Sequence, residues 1–337
     1  MMTPRSALAM LAVQIALVMS AVPARAQAWL PPQGEGSVSI LFSDVLVKNH
    51  FFGTQQVDAG RIRSESMLVD FTYGVTDRLA ISGAIPLVAS EYTGNSSSPF
   101  AAPHPQPLYP GVNPLDDGRY HAILQDFRFG ARYNLVKKRG FALTPFVGSI
   151  VPSHDYEIFA HAAPGRNLNE VQFGISAAKA FESVLPGVFV QASYSYGIVQ
   201  RVLDISHNRS MLSAEAGYFV TPKVRVIGLS SGQITHGGID ASPGLGFDPI
   251  RFPVHDQITR DNFLTIGGGV AYAMTEKLDL YGSVVHALAA AQRNAHQIDR
   301  GVTVGLTWSF STRHANARAI ASAEGALARC VCEKGTQ

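Results

Sequence analysis

The sequence predicts an all-β fold: a closed antiparallel transmembrane β-barrel of about 12 strands, with short periplasmic turns and long extracellular loops. Three observations carry that prediction. Apolar and polar residues alternate with a period of two through most of the chain. The connections between these segments alternate between short and long. A phrase also recurs at the short ones: YGVTDRLAI from Tyr73, YFVTPKVRV from Tyr218 and YAMTEKLDL from Tyr272. Each copy has a Tyr, a Thr three residues on, a Lys or Arg two further, and then alternation. A looser copy, YNLVKKRGFAL, begins at Tyr133 with Val136 in place of the Thr.

The chain opens MMTPRSALAMLAVQIALVMSAVPARAQA. Arg5 gives a short positive region, residues 7–22 an apolar run, and Ala24-Arg25-Ala26 a small-x-small cleavage site. Residues 1–26 therefore read as a secretory signal peptide, outside the fold. Residues 27–36 read as a periplasmic lead, 37–310 as the barrel and 311–337 as a periplasmic tail. Of 27 Lys and Arg, Arg5 and Arg25 fall in the signal, leaving 25 against 25 Asp and Glu. A neutral mature chain gives no basic footprint for nucleic acid. Cys330 and Cys332 are the only cysteines, so an exported fold is held without a disulfide framework, and two thiols alone make a weak metal site. Charged residues make up 15% of the chain, and no apolar run after the signal is long enough for a spanning helix.

Taken in order, each strand shows two faces. In SMLVDFTY, Met67, Val69, Phe71 and Tyr73 oppose Ser66, Asp70 and Thr72. Leu79, Ile81, Ile85 and Leu87 oppose Ala80, Ser82 and Ala84. In ILQDFRFGARY, Ile123, Phe127, Phe129, Ala131 and Tyr133 oppose Asp126, Arg128, Gly130 and Arg132. Val188, Val190, Ala192, Tyr194 and Tyr196 oppose Gln191, Ser193 and Ser195, and Val302, Val304, Leu306, Trp308 and Phe310 oppose Thr303, Thr307 and Ser309. A soluble sandwich alternates too, but its strands run to about five or six residues, and these run longer. Short connections fall near 75–78, 135–140, 181–187, 221–223 and 274–277; long ones near 48–60, 90–120, 153–167, 200–208, 235–259 and 290–298. Tyr73, Tyr133, Tyr218 and Tyr272 all lie on the apolar face just before a short turn. A phenol suits the headgroup level, so these four form the expected aromatic girdle.

The YGVTDRL phrase followed by IPL at 85–87, the stretch LQDFRFGARYNL at 124–135, and the later Tyr-x-x-Thr hairpins resemble the outer-membrane proteins associated with meta-cleavage phenol-degradation pathways. The resemblance covers roughly 37–310. It implies transport of small hydrophobic or aromatic compounds across the outer membrane, and brings no catalytic motif with it. A tail beyond Phe310 departs from the usual pattern of a barrel that ends on its terminal aromatic.

Charges on the inner face of a membrane barrel must be paired or hydrated. Asp70, Asp126, Arg128, Arg132, Glu215, Arg225 and Asp279 fall there, as a stiffening network or a selective constriction. The loop at 91–120 contains SSSPFAAPHPQPLYPGVNPL. Its Phe100, Leu108 and Tyr109 are expected to fold over the mouth as an apolar approach for solutes, with Arg128 and Arg132 below to orient a phenolate or carboxylate. His104, His154, His161, His236 and His255, and Asp240, Asp248 and Asp256, lie in long loops without metal-ligand spacing, so they read as solvated and no metal or cofactor is expected. GLSSG at 228–232 matches a nucleophile pattern that has meaning only on a strand-to-helix elbow. A barrel lipid hydrolase is the enzymatic alternative. It would need Ser230 or Ser231 beside His236 or His207 on the lipid face, with an oxyanion hole. A structural or adhesive barrel acting through its loops is the third reading. The expected partners are outer-membrane lipids, lipopolysaccharide and small hydrophobic solutes.

Overall fold

The computed structural model describes residues 28–94, 115–181, 184–240, 248–288 and 296–312. Its strand segments run β1 (Glu35–Phe52), β2 (Gln55–Gly74), β3 (Leu79–Thr93), β4 (His121–Leu124), β5 (Phe127–Tyr133), β6 (Val136–Lys138), β7 (Phe141–Val151), β8 (Glu170–Ala180), β9 (Val188–Val199), β10 (His207–Phe219), β11 (Val224–Gly237), β12 (Phe263–Ala273), β13 (Leu278–Ala287) and β14 (His296–Ser311). β4 and β5 are one wall strand interrupted at Gln125 and Asp126, and β6 is a short extension paired with β7, so twelve strands make the wall. Neighbours pair antiparallel throughout. β1 meets β14 from Glu35↔Ser311 onward and β2 meets β3, which closes the sheet. Closure leaves no edge for an apolar solvent to strand without partners.

The two faces settle which side is which. Ile40, Ile85, Phe129, Phe173, Val284 and Trp308 point outward and are each more than half exposed. A belt of that size around a whole barrel is stable only against an apolar medium. Inward, hydroxyls pair across strands, as Ser39 with Thr307 at 2.9 Å and Ser43 with Thr303 at 2.8 Å.

The recurring threonine closes the turns. Thr76 Oγ1 accepts the N–H groups of Arg78 (3.1 Å) and Leu79 (2.9 Å). Thr221 does the same for Lys223 and Val224, and Thr275 for Lys277 and Leu278. At the fourth site Val136 has no oxygen to offer. The chain there extends β6 and reverses at Arg139 and Gly140, with φ of 50° and 71°, the two left-handed residues of a type I′ hairpin. Replacing Thr76 or Thr275 by Val removes the acceptor at nearly constant shape. Each change is expected to cost about 1 kcal/mol, read as a lowered urea midpoint of the purified protein in detergent.

The sequence suggests a long loop near 48–60, and the structure differs. β1 and β2 continue as a paired arm of 18 and 20 residues that reverses at Gly53 and Thr54. Polar residues hid this strand, because beyond the bilayer an extended ladder has no apolar face to show. A bulge between Lys48 and His50, with Asn49 at φ 67°, also breaks the alternation.

Both ends of the barrel are covered. At the short-turn end, residues 28–34 cross the opening. Gly74 lies against the Pro31 and Pro32 carbonyls, where a Cβ would come within 2.6 Å of either oxygen. Seven residues before β1, the Ala28 carbonyl accepts from Asn134 Nδ2 (2.8 Å) and Thr144 Oγ1 (2.7 Å) on the far wall. Trp29 meets Phe189 edge-on. At the long-loop end, residues 152–169 are tied across the mouth. His161 stacks on Tyr92 at 4.2 Å, Asp116 accepts the His161 and Ala162 N–H groups, and Phe159 packs on Phe252.

Candidate functional site

Between these two covers lies a mid-barrel cavity of about 400 Å³. Its charged lining is Asp70 from β2, Arg128 and Arg132 from β5, and Arg209 from β10. Leu68, Phe146, Met211 and Phe263 give apolar wall, and Ser82, Ser193 and Ser231 give hydroxyls. The β4–β5 interruption sits opposite Pro86, which has no N–H to donate; Gln125 N–H bonds the Pro86 carbonyl instead at 2.9 Å. The extra residue accommodated there leaves Asp126 outside the ladder.

Asp126 is met from above by the loop. The Tyr156 hydroxyl donates to it at 2.6 Å and accepts the Asn167 N–H at 2.9 Å. Burial, with Asp126 beside it, holds the Tyr156 phenol above its ordinary range, so it remains a neutral donor. Below the loop a network crosses the lumen. Arg209 pairs with Glu170 and reaches Gln233, Gln172 donates to Glu170 at 2.8 Å, and Arg166 pairs with Asp261 at 2.7 Å. Gln233 bonds the Asp261 backbone carbonyl at 2.9 Å, joining the two ion pairs.

Toward the short turns the interior is packed. Leu41, Ile227, Leu229, Ala271 and Tyr281 form a buried apolar cluster inside the barrel, with Leu68 against it. Beside it Gln191 donates to Glu215 at 2.8 Å. The Arg225 guanidinium lies over the rings of Phe189 (5.9 Å) and Phe219 (5.6 Å). This half of the lumen is more closely packed than the cavity above it.

The sequence-predicted inner residues therefore separate into groups. Asp70, Arg128 and Arg132 share the cavity, Asp126 sits at its upper edge, and Glu215 and Arg225 lie in the packed half. Asp279 lies on β13 at the short-turn end and joins none of these contacts. Arg209, Glu170, Gln172, Gln233, Arg166 and Asp261 were missed, although Arg209 shares the inward parity of Met211, Ser213 and Glu215. Tyr73, Tyr133, Tyr218 and Tyr272 all sit on the outward face at the short-turn end, Tyr73 in a triad of rings with Phe71 and Phe310. Phe100, Leu108, Tyr109, His104, Cys330 and Cys332 lie outside the described residues.

The loop histidines are not uniformly solvated. His161 stacks on Tyr92 and His255 on Phe252, because their rings close the mouth. The Ser–His pair also differs from the expected one. Ser231 faces inward, Ser230 donates to the Thr265 carbonyl, and the His207 ring is buried beside the Ile205 carbonyl. GLSSG lies within β11 and leads to no helix. On the outward face Ser210 pairs instead with His236, 2.7 Å apart, with the Tyr194 hydroxyl also on Ser210, and in the loop Ser153 meets the adjacent His154 at 2.8 Å. Ser210 stands in register with both β9 and β11, so the surrounding backbone amides are committed to the sheet rather than gathered into an oxyanion hole.

No protein-family model and no curated protein matches the chain. Among solved structures, an outer membrane channel from Pseudomonas putida aligns with a TM-score of 0.64 at 13% identity, covering 86% of this chain and 100% of that one. The NanC porin aligns at 0.46 and 7% identity, covering 80% and 98% of the two chains. The translocator domain of the autotransporter NalP from Neisseria meningitidis aligns at 0.44 and 10%, covering 83% and 90%. At these identities the likeness is one of fold: a closed antiparallel barrel of outer-membrane type.

Proposed function

We propose that this protein is an outer-membrane channel for passive uptake of small hydrophobic or aromatic compounds. The observation that carries the reading is a water-accessible cavity inside a barrel belted by apolar residues, covered at one end by a loop and at the other by residues 28–34. Such a barrel passes solutes one at a time through a gated, chemically mixed interior. The fold likeness to a channel and the sequence resemblance to a phenol-degradation family support it. In this reading the short turns face the periplasm, the four tyrosines mark the inner headgroup level, and the loop carrying Phe100, Leu108 and Tyr109 guides solutes in. Lipopolysaccharide borders the outer end. There Lys48 pairs with Asp299 and Arg63 with Asp44 on the outward face above the apolar belt, and Arg300 adds a third cation beside Asp44.

The test is uptake of labelled phenol and benzoate by cells depleted of general porins, with and without the protein. Faster uptake with the protein is expected, and deletion of residues 96–113 is expected to change its rate while assembly persists. Equal uptake with and without the protein would overturn the channel reading.

The hydrogen bond between Ser210 and His236 is the one contact among the described residues that speaks for the lipid-hydrolase alternative. Ser210→Ala and His236→Ala are expected to leave uptake and assembly unchanged, with no phospholipid cleavage by either the parent or the variants. Cleavage that disappears on Ser210→Ala would move the assignment to a hydrolase.

A further inference from the structure

We infer that Arg128 and Arg132 form a binding niche for the anionic group of a small amphipathic molecule, a carboxylate on an aromatic or short aliphatic body. The inference rests on the channel reading and names the class of solute its cavity holds. Both residues point inward from β5, and Gly130 lies between them, paired with Gly148 of β7. Neither glycine has a side chain, so the wall between the two arginines is bare. The Ser82 hydroxyl stands 2.9 Å from where a Gly130 Cβ would be, and the Gln172 amide oxygen 3.7 Å from that of Gly148. Two guanidiniums, a hydroxyl and an amide thus ring one notch.

The guanidiniums are the informative part. Arg209 is engaged by Glu170 and Gln233, whereas Arg128 and Arg132 make no hydrogen bond or ion pair with the described residues. Arg132 instead lies over the Phe146 ring at 5.9 Å. Asp70 acts on both through space, and Asp126 and Glu170 also act on Arg128, so Arg132 has a single carboxylate near it. A guanidinium held in a protein lumen is costly unless something meets it, and a carboxylate meets it with paired charge-assisted hydrogen bonds. Beyond the notch, Leu68, Met211 and Phe263 line the same cavity. An apolar body placed there leaves its carboxylate against β5. A cation would be repelled, and a neutral hydrocarbon would offer neither guanidinium a hydrogen-bond acceptor.

The experiment is equilibrium binding of benzoate and of its neutral counterpart benzyl alcohol to the full-length purified protein in detergent at neutral pH, by ligand-observed NMR. Benzoate is expected to bind about tenfold more tightly than benzyl alcohol. Arg128→Gln and Arg132→Gln should each weaken benzoate about tenfold while sparing benzyl alcohol. Asp70→Asn should tighten benzoate, a gain that general damage to the barrel does not produce. Equal affinity for the two probes overturns the inference, as does unaltered benzoate binding in assembled Gln variants. Should the Gln variants fail to assemble, absence of tightening in Asp70→Asn overturns it. Benzoate bound preferentially by a protein that speeds no uptake would sink the channel reading and leave the niche standing. Uptake with no preference for benzoate in binding would do the reverse.

Discussion

Removing residues 28–33 is expected to raise the conductance of the reconstituted protein several-fold. β1 begins at Glu35, and its predecessor Ala28 is bound by Asn134 and by Thr144 of β7. Around the twelve-strand wall β7 is four strands on from β1, so the segment spans most of the diameter of the opening. Trp29 and Leu30 fill what lies beneath it, next to Phe189 and to the cluster of Ala28, Ala142 and Ala178. The fastening is modest. Two hydrogen bonds to the Ala28 carbonyl and one from Gln33 N–H to Asp77 Oδ1 (3.0 Å) are worth about 1 kcal/mol each net, and the buried Ala28 and Leu30 add apolar contact. On the channel reading proposed above, this segment is the stopper at the short-turn end. Single-channel recording in planar bilayers reads the result, with Trp29→Ala as the milder version. An unchanged conductance on deletion would mean the packed layer around Leu41 and Tyr281 sets the resistance instead.

Glu170→Gln is expected to destabilise the barrel by about 3 kcal/mol, the cost of leaving a buried charge without its partner. The Glu170 side chain is 1% exposed and that of Arg209 19%, so water compensates little when the carboxylate goes. Arg128 lies in the same cavity, which leaves Arg209 facing another cation. The double change Glu170→Gln with Arg209→Met removes both charges, and most of the loss should return. Urea midpoints of the three proteins in detergent, against the parent, measure it. A single variant within about 0.5 kcal/mol of the parent would show that lumenal water already screens the pair.

The wall was legible in the sequence and its covers were not. Alternation placed Met67, Phe71, Phe129 and Trp308 outward and Asp70, Arg128, Arg132 and Glu215 inward, because period two is a direct consequence of strand geometry. The repeated Tyr and Thr marked the short-turn end because each answers a local requirement, a headgroup-level ring and a turn acceptor. Residues 28–34 gave no such signal. They bind through backbone N–H and carbonyl groups and a few buried side chains, which no periodicity records. Arg209 and Glu170 stand at the long-loop ends of β10 and β8, where a sequence reading meets loop composition before it meets a strand. Ser210 and His236 pair only because β10 and β11 lie in one register, with Ser210 opposite Ile234. Twenty-six residues of separation conceal that contact.

In the proposed channel, solute passes through the cavity beside β5. Ser82 lines it from β3, so a Ser82→Cys protein with Cys330 and Cys332 replaced by Ser places one thiol in the proposed path. Current through this variant in planar bilayers, before and after a charged methanethiosulfonate reagent, is the direct measurement. Stepwise current that the reagent blocks is expected, with no block in the cysteine-free parent. Absence of current, or current that ignores a fully labelled Cys at position 82, would contradict it.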